Sequence, residues 1–230
     1  MKSGFNINVI GGDGYLIIPL SMGRLTMGQN PENIYKIFDY FAKKLANYSN
    51  DVIFLYTSGL YLNADNVSSD QRIKINEQMI NHSLGLRKLI HKRKTYMPNA
   101  FHYLPIEYVI LNSKHYRLFV TRLKKLAKTD KKFQKAIQED MGDRPYTSAN
   151  INFIIEEVAV AHIIRQHLVE LPRTLVRRDI WRLFAYPGKH MSADAYQWKK
   201  KILPQNDKIN PFAGASYDFN KKRIVLFDEV

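Results

Sequence analysis

Apolar positions along this chain fall into short continuous runs and longer stretches with helical spacing, in alternation. Phe5 to Ile10 and Tyr15 to Leu20 are two short runs separated by Gly11-Gly12-Asp13-Gly14, and they read as strands joined by a hairpin turn. Asn30-Pro31-Glu32 combines a capping side chain, a proline suited to a first helical turn and an acid. Ile34, Ile37, Phe38, Phe41 and Leu45 follow it at helical spacing. Val52 to Tyr56 is a short buried strand. Strand, helix and strand in that order form a βαβ unit, which implies a parallel sheet. A second helix is expected over residues 69–95, with Ile73, Met79, Ile80 and Ile90 on its apolar face, followed by a strand from Ile106 to Leu111. Helices are expected over residues 113–128, 130–141 and 148–169. Ile180 to Tyr186 reads as a strand ending at Pro187-Gly188, a shorter helix starts at Ser192, and Arg223 to Phe227 is a last strand. The stretch from Pro204 to Tyr217 is the least regular. This alternation predicts one α/β domain over residues 1–230, a layered sheet flanked by helices.

Composition narrows the class. Hydrophobic content of 45% and aromatic content of 12% suit a packed globular protein. With no cysteine, disulfides, thiolate catalysis and Cys-ligated zinc are excluded, and a reducing cytoplasm is the expected compartment. Asn6, Asn8 and the Gly-rich turn interrupt the first apolar residues, a poor match to a secretory signal. No apolar stretch approaches the roughly 20 residues of a membrane span, and no single basic amphipathic segment stands out for binding a membrane surface, so no membrane partner is expected.

Charge points to a partner. A formal net charge of +14 favours a polyanion, nucleic acid first. The eight residues from Arg87 to Lys94 hold five Lys or Arg and no acid. Arg87, His91 and Lys94 share a helix face, with Lys88, Lys92 and Arg93 beside them. Such a stripe suits phosphates better than it suits a solvated helix face, which would usually mix signs. Arg117, Arg122, Lys124, Lys125, Lys128, Lys131 and Lys132 form a second cluster that would extend the track. Phosphate contacts carry no base code, so sequence-specific reading is not implied.

Candidate chemistry is sparse. Ser21 directly follows the run Tyr15 to Leu20, where a strand opening into a loop presents a hydroxyl at a sheet edge. Glu156 and Glu157 interrupt an otherwise apolar helix, and adjacent helical positions point about 100° apart. At least one therefore sits near the core boundary, either as a functional carboxylate or as a surface acid paired with a lysine. Gly11-Gly12-Asp13-Gly14 lacks the spacing of a phosphate-binding loop. Gly188-Lys189-His190-Met191-Ser192 faintly matches the ATP-site lysine loop of class I aminoacyl-tRNA synthetases, but the His-Ile-Gly-His partner is missing. The seven histidines show no metal-ligand spacing, and no metal site is expected.

Taken together, these residues resemble the tRNA-dependent cyclodipeptide synthases. Ser21 sits like that family's catalytic serine, at the end of the first core strand. Phe153-Ile154-Ile155-Glu156-Glu157 is similar to its motif of a tyrosine, two aliphatics, any residue and a glutamate. Tyr186-Pro187 looks like the Tyr-Pro pair of one of its two subfamilies. The basic stretch Arg87 to Lys94 is similar to its tRNA-binding helix, and Tyr116 to Ile137, with Asp130 and Phe133, shares its texture. The likeness spans most of residues 15–190 as short motifs whose order carries it. Phe153 replaces the motif tyrosine, Pro19 stands where many members have glycine, and Arg24 fills a variable position three after the serine. Glu170-Leu171-Pro172 is a second possible match for the glutamate; the aliphatics preceding Glu157 favour Glu157.

The resemblance implies a Rossmann-like fold related to class I aminoacyl-tRNA synthetase catalytic domains, acting on aminoacyl-tRNA without ATP, metal or other cofactor. It implies Ser21 as nucleophile, Glu157 as ammonium anchor and general base, and Tyr186 as positioning group. Pro19, Phe153 and Pro187 would contact substrate, and Arg87, Lys88, His91, Lys92, Arg93 and Lys94 would hold tRNA. A ping-pong reaction through acyl-serine intermediates would release a cyclic dipeptide. No stable protein partner is expected, and a monomer is the default. Two other readings stay open: a non-catalytic RNA-binding domain, and a transferase that passes the aminoacyl group to another acceptor.

Overall fold

The computed structural model describes residues 14–26, 28–44, 50–58, 68–93, 101–172, 181–206, 208–209, 214–220 and 223–226. Strand β1 is Gly14–Leu20, followed by a 3-10 turn at Met22–Arg24 and helix α1 at Pro31–Lys44. Next come β2 (Asn50–Tyr56), α2 (Ser69–Arg93), β3 (Phe101–Pro105) and α3 (Ile106–Asn112). Helices α4 (Tyr116–Thr129), α5 (Lys131–Met141) and α6 (Ser148–Arg165) lead to β4 (Trp181–Pro187). The described chain closes with α7 (Ser192–Lys199), β5 (Ala215–Asp218) and β6 (Arg223–Leu226). The hairpin partner expected at Phe5 to Ile10 and most of its turn lie outside the described residues.

The strands form one sheet in the order β3-β2-β1-β4-β5-β6. The first five are parallel, and β6 runs antiparallel to β5. This is the Rossmann-like order, grown outward from β1 in both directions. Alternation along each strand splits the core into two layers. Leu16, Ile18 and Leu20 pack with Ile34, Phe38, Leu86 and Ile90 of α1 and α2. Tyr15 and Ile17 pack on the other face with Phe119, Phe133, Ile155 and Val158 of α4, α5 and α6. The side chain of Asn30 accepts from the Asn33 backbone N–H at 3.0 Å, as its capping role predicted.

Two expectations are corrected. Ile106 to Leu111 is not a strand. The strand is Phe101–Pro105, where the aromatics Phe101 and Tyr103 alternate with His102 and Leu104, and the chain enters α3 immediately afterwards. Pro105 ends the ladder at its extended φ of −75°, while Ile106 and Val109 bury one helical face. On α2 the buried residues are His82, Leu86 and Ile90, whereas Ile73 and Ile80 are 58% and 52% exposed. Contact with α1 selects that face. A β-carbon on Gly85 would lie only 3.2 Å from the Pro31 ring, so α2 turns its 82–86–90 side inward.

Buried charge fixes α6 against α7. Arg165 donates to both carboxylate oxygens of Asp194, at 2.8 and 2.5 Å, and both side chains are almost wholly buried. Gln197 donates to Asp194 at 3.1 Å, and His162 bonds the Pro204 carbonyl at 2.8 Å. Asp130 caps α5 through the Lys132 and Phe133 backbone N–H groups and accepts the Tyr196 hydroxyl at 2.7 Å. Among the described residues, no helix is long and apolar enough to cross a membrane.

Candidate active site

Strand order reverses between β1 and β4, and open α/β sheets bind ligands beyond the carboxyl ends of their strands at such a switch point. Register explains how the sheet opens there. β1 pairs with β2 along its whole length, from Gly14↔Asn50 to Leu20↔Tyr56. It pairs with β4 only from Gly14↔Trp181 to Ile17↔Phe184. Pro19 lies two residues past that last pair, and it has no N–H to give to a ladder. The two strands therefore separate before Ser21, with Tyr186 at the level of Pro19. Leu183 and Ala185 pack towards α1 and α2, while Phe184 packs towards α6. Alternation then turns Tyr186 towards the α6 layer.

Ser21 is buried and extended, with φ −84° and ψ 122°, and its carbonyl accepts the Arg24 N–H at 2.9 Å. Its own N–H donates to Gln29 Oε1 at 2.7 Å. The same amide reaches across the opening, where Gln29 Nε2 donates to the Pro187 carbonyl at 3.0 Å. One buried side chain thus ties the end of β1 to the end of β4. Gln29 is held in turn: its carbonyl pairs with His82 Nε2 at 2.7 Å, and His82 Nδ1 pairs with the Tyr56 hydroxyl at 2.8 Å. Sequence reasoning missed Gln29 entirely, because no motif or periodicity marks it.

Past Pro187, Gly188 has a φ of +128°, which suits glycine, and its N–H bonds the Tyr217 carbonyl at 3.1 Å. A β-carbon there would lie 3.5 Å from the Tyr186 ring and 3.6 Å from Arg24 Nη1. Arg24 and Tyr186 therefore flank the same opening. His190 is buried and bonds the Val225 carbonyl at 2.6 Å, so Gly188 to Ser192 is a structural connection to β6.

Helix α6 supplies the carboxylates. Its adjacent acids diverge as helical geometry requires. Glu156 hydrogen-bonds Tyr116; burial raises its carboxyl, while that bond and Lys124 pull the other way. Glu157 faces a different set. Burial pushes its carboxyl up to about 7, with Arg144 lowering it, Asp140 raising it and Arg24 lowering it. Arg24 therefore feels both Glu157 and the Tyr186 opening. Phe153, one turn before Glu157, carries the Arg144 guanidinium 5.0 Å above its ring. Asp140 is also pushed up to about 7 by burial, although the Ser192 and Ala193 N–H groups donate to it at 2.6 and 2.8 Å.

Glu170 lies elsewhere. The neighbouring Val169 carbonyl accepts from Arg182 near the start of β4, at the end of the sheet opposite Tyr186. Glu170 itself is exposed, and its backbone carbonyl accepts from Tyr108. Of the two candidate glutamates, Glu157 interacts electrostatically with Arg24, which flanks the Tyr186 opening.

Arg87, Lys88, His91, Lys92 and Arg93 are all exposed on α2, and Lys94 falls outside the described residues. Arg93 is engaged, at 2.7 Å from Glu32 and 4.6 Å above the Tyr35 ring. The other four form no ion pair among the described residues. The second basic cluster is carried by α4 and α5 on the opposite face of the sheet. It does not continue the α2 stripe, correcting the expectation of one track. Among the described residues, no group of three His, Asp or Glu is placed to hold a metal ion.

No protein-family model matches the sequence, and no curated protein matches it. The fold does match. A cyclodipeptide synthase (CDPS) from Fluoribacter dumoffii is 16% identical, with 86% of each chain covered and a TM-score of 0.56. A cyclodipeptide synthase from Bacillus thermoamylovorans is 12% identical, covering 86% of this chain and 84% of its own, with a TM-score of 0.52. A Mycobacterium tuberculosis protein, described as relating cyclodipeptide synthetases to type I tRNA-synthetases, is 11% identical. It covers 86% of this chain and 81% of its own, with a TM-score of 0.52. The chain shares the fold of these proteins.

Proposed function

We propose that this chain is a tRNA-dependent cyclodipeptide synthase. The observation that carries the reading is the convergence at the switch point. Ser21 is held there by Gln29, Tyr186 and Arg24 flank the same opening, and α6 turns Glu157 towards them. The shared fold of solved cyclodipeptide synthases supports it.

The chemistry follows from these groups. The Ser21 Oγ attacks the carbonyl of an aminoacyl-tRNA, the ester to the tRNA breaks, and the tRNA hydroxyl takes the proton. The amine of the serine-bound residue then attacks a second aminoacyl-tRNA, releasing the second tRNA and leaving a dipeptidyl ester on Ser21. The free amine of that dipeptide attacks its own serine ester. This closes the ring and returns the hydroxyl. Glu157 anchors the ammonium and accepts its proton, a task suited to a carboxyl poised near neutrality. Tyr186 positions the intermediate across the opening, and Pro19, Phe153 and Pro187 line the approach. The tRNA ester is already activated, so no ATP, metal or other cofactor is needed. Arg87, Lys88, His91 and Lys92 hold tRNA phosphates. Arg93 and Lys94 extend that face.

The test is acylation. With purified aminoacyl-tRNA, intact-protein mass spectrometry is expected to show one aminoacyl adduct, mapped to Ser21 and absent from Ser21→Ala. Wild-type protein that binds the tRNA but never acquires an adduct would sink the reading.

A further inference from the structure

A cavity of about 320 Å³ lies on the α1/α2 face of the sheet, away from the switch point. Arg87, Ile90 and His91 of α2 line one side, and Phe101 and Tyr103 of β3 line the other. This volume falls at the low end of the roughly 300–1,000 Å³ of small-molecule sites. Arg87, Ile90 and His91 are spaced i, i+3 and i+4, so one helix face delivers all three. Phe101 and Tyr103 are spaced by two, so one strand face delivers both.

Among the described residues, the buried Tyr103 hydroxyl has no hydrogen-bond partner. Burial pushes it up to about 12, with Arg87 pulling it down, so it is a neutral donor at physiological pH. A buried hydroxyl left unpaired costs stability. A ligand acceptor would satisfy it. Around that hydroxyl stand a guanidinium with no ion pair among the described residues, an imidazole and two partly exposed aromatic rings. Cations beside flat aromatic walls are what an unstacked nucleotide requires: phosphate on the former, base on the latter. An acidic peptide would leave the rings unused, and an inorganic anion would fill only part of the space.

We propose that this cavity seats one unpaired nucleotide of an RNA strand, its phosphate on Arg87, His91 and the Tyr103 hydroxyl and its base against Phe101 and Tyr103. The inference deepens the tRNA reading above by giving α2 a pocket as well as a charged face. Its position suits a strand travelling to the catalytic opening. Arg87 lies about 7–8 Å along α2 from His82, at about 1.5 Å per residue, and His82 bonds Gln29. The Tyr103 ring also stacks on that of Tyr56, with centroids 6.5 Å apart.

The test is calorimetric titration of the whole protein with cytidine 5′-monophosphate, adenosine 5′-monophosphate and inorganic phosphate. Saturable binding is expected for both nucleotides, at least tenfold tighter than for phosphate. Arg87→Ala is expected to weaken it at least tenfold with unchanged melting temperature, and Tyr103→Phe severalfold with a melting temperature no lower than that of the wild type. Lys74→Ala, which removes an exposed charge on the same helix outside the cavity, is expected to leave it unchanged. Nucleotides binding no tighter than phosphate, binding that survives either cavity substitution, or equal weakening by Lys74→Ala would each overturn the site. The assay contains no turnover. Nucleotide binding by a protein that fails the acylation test would overturn the reaction and leave the pocket standing.

Discussion

Gln29 lies 8 positions from Ser21 and 158 from Pro187, yet its amide joins both. Sequence spacing had no means of finding it, because its importance comes from the fold bringing two strand ends together. Ser21, Glu157 and Tyr186 stood out in the sequence because each ends or interrupts an apolar run, a local signal. Arg24, Asp140 and Arg144 were not read as surroundings of Glu157, since those contacts are nonlocal. Two predictions belong at this scale. Gln29→Leu should lower the acylation rate of Ser21 by about 10- to 100-fold in single-turnover assays, with little change in KM, as expected when a nucleophile is misplaced rather than removed. An unchanged rate would show that the tether does not position Ser21. Glu157, pushed up to about 7, should impose a rate limb that rises with pH through about 7. Glu157→Gln should abolish that limb together with most of the rate. The stability consequence has the opposite sense. The folded state holds the Glu157 proton more tightly than the unfolded chain, whose ordinary value is 4.5. That contribution is complete at acid pH and is lost as pH rises towards about 7. Glu157→Gln should therefore flatten the fall in Tm over that window.

Elements were legible where period and punctuation agreed. Asn30-Pro31-Glu32 marked the start of α1 because cap, proline and acid all act within one turn. The run after Pro105 did not declare itself, since a short, largely apolar stretch fits strand and helix equally. The burial of Ile106 and Val109 at helical spacing settles it as α3. The inner face of α2 was misjudged for a different reason: its apolar residues lie all round, and the closeness permitted by Gly85 chooses among them. Helix α6, which carries Glu157, is anchored by Arg165 and Asp194 on α7. Removing one partner strands the other charge in the core. Asp194→Ala should therefore cost about 3–5 kcal/mol in denaturant unfolding. A loss below about 1 kcal/mol would show that α6 does not depend on the pair.

At the scale of the molecule, the +14 charge is divided by the sheet. The α2 stripe lies on one face and the α4–α5 cluster on the other, so composition alone overstated a single continuous track. The opening at the switch point lies between these layers. A non-catalytic RNA-binding domain would account for the cations. It would leave unexplained why Ser21, Tyr186, Arg24 and a carboxylate poised near neutrality meet at the point where the sheet divides. The most direct measurement is mass spectrometry of the medium from cells expressing the wild-type protein and Ser21→Ala. A cyclic dipeptide made by the wild type and absent from the variant is the predicted result. A cyclic dipeptide still made by Ser21→Ala, or none from well-folded wild type, would contradict the account.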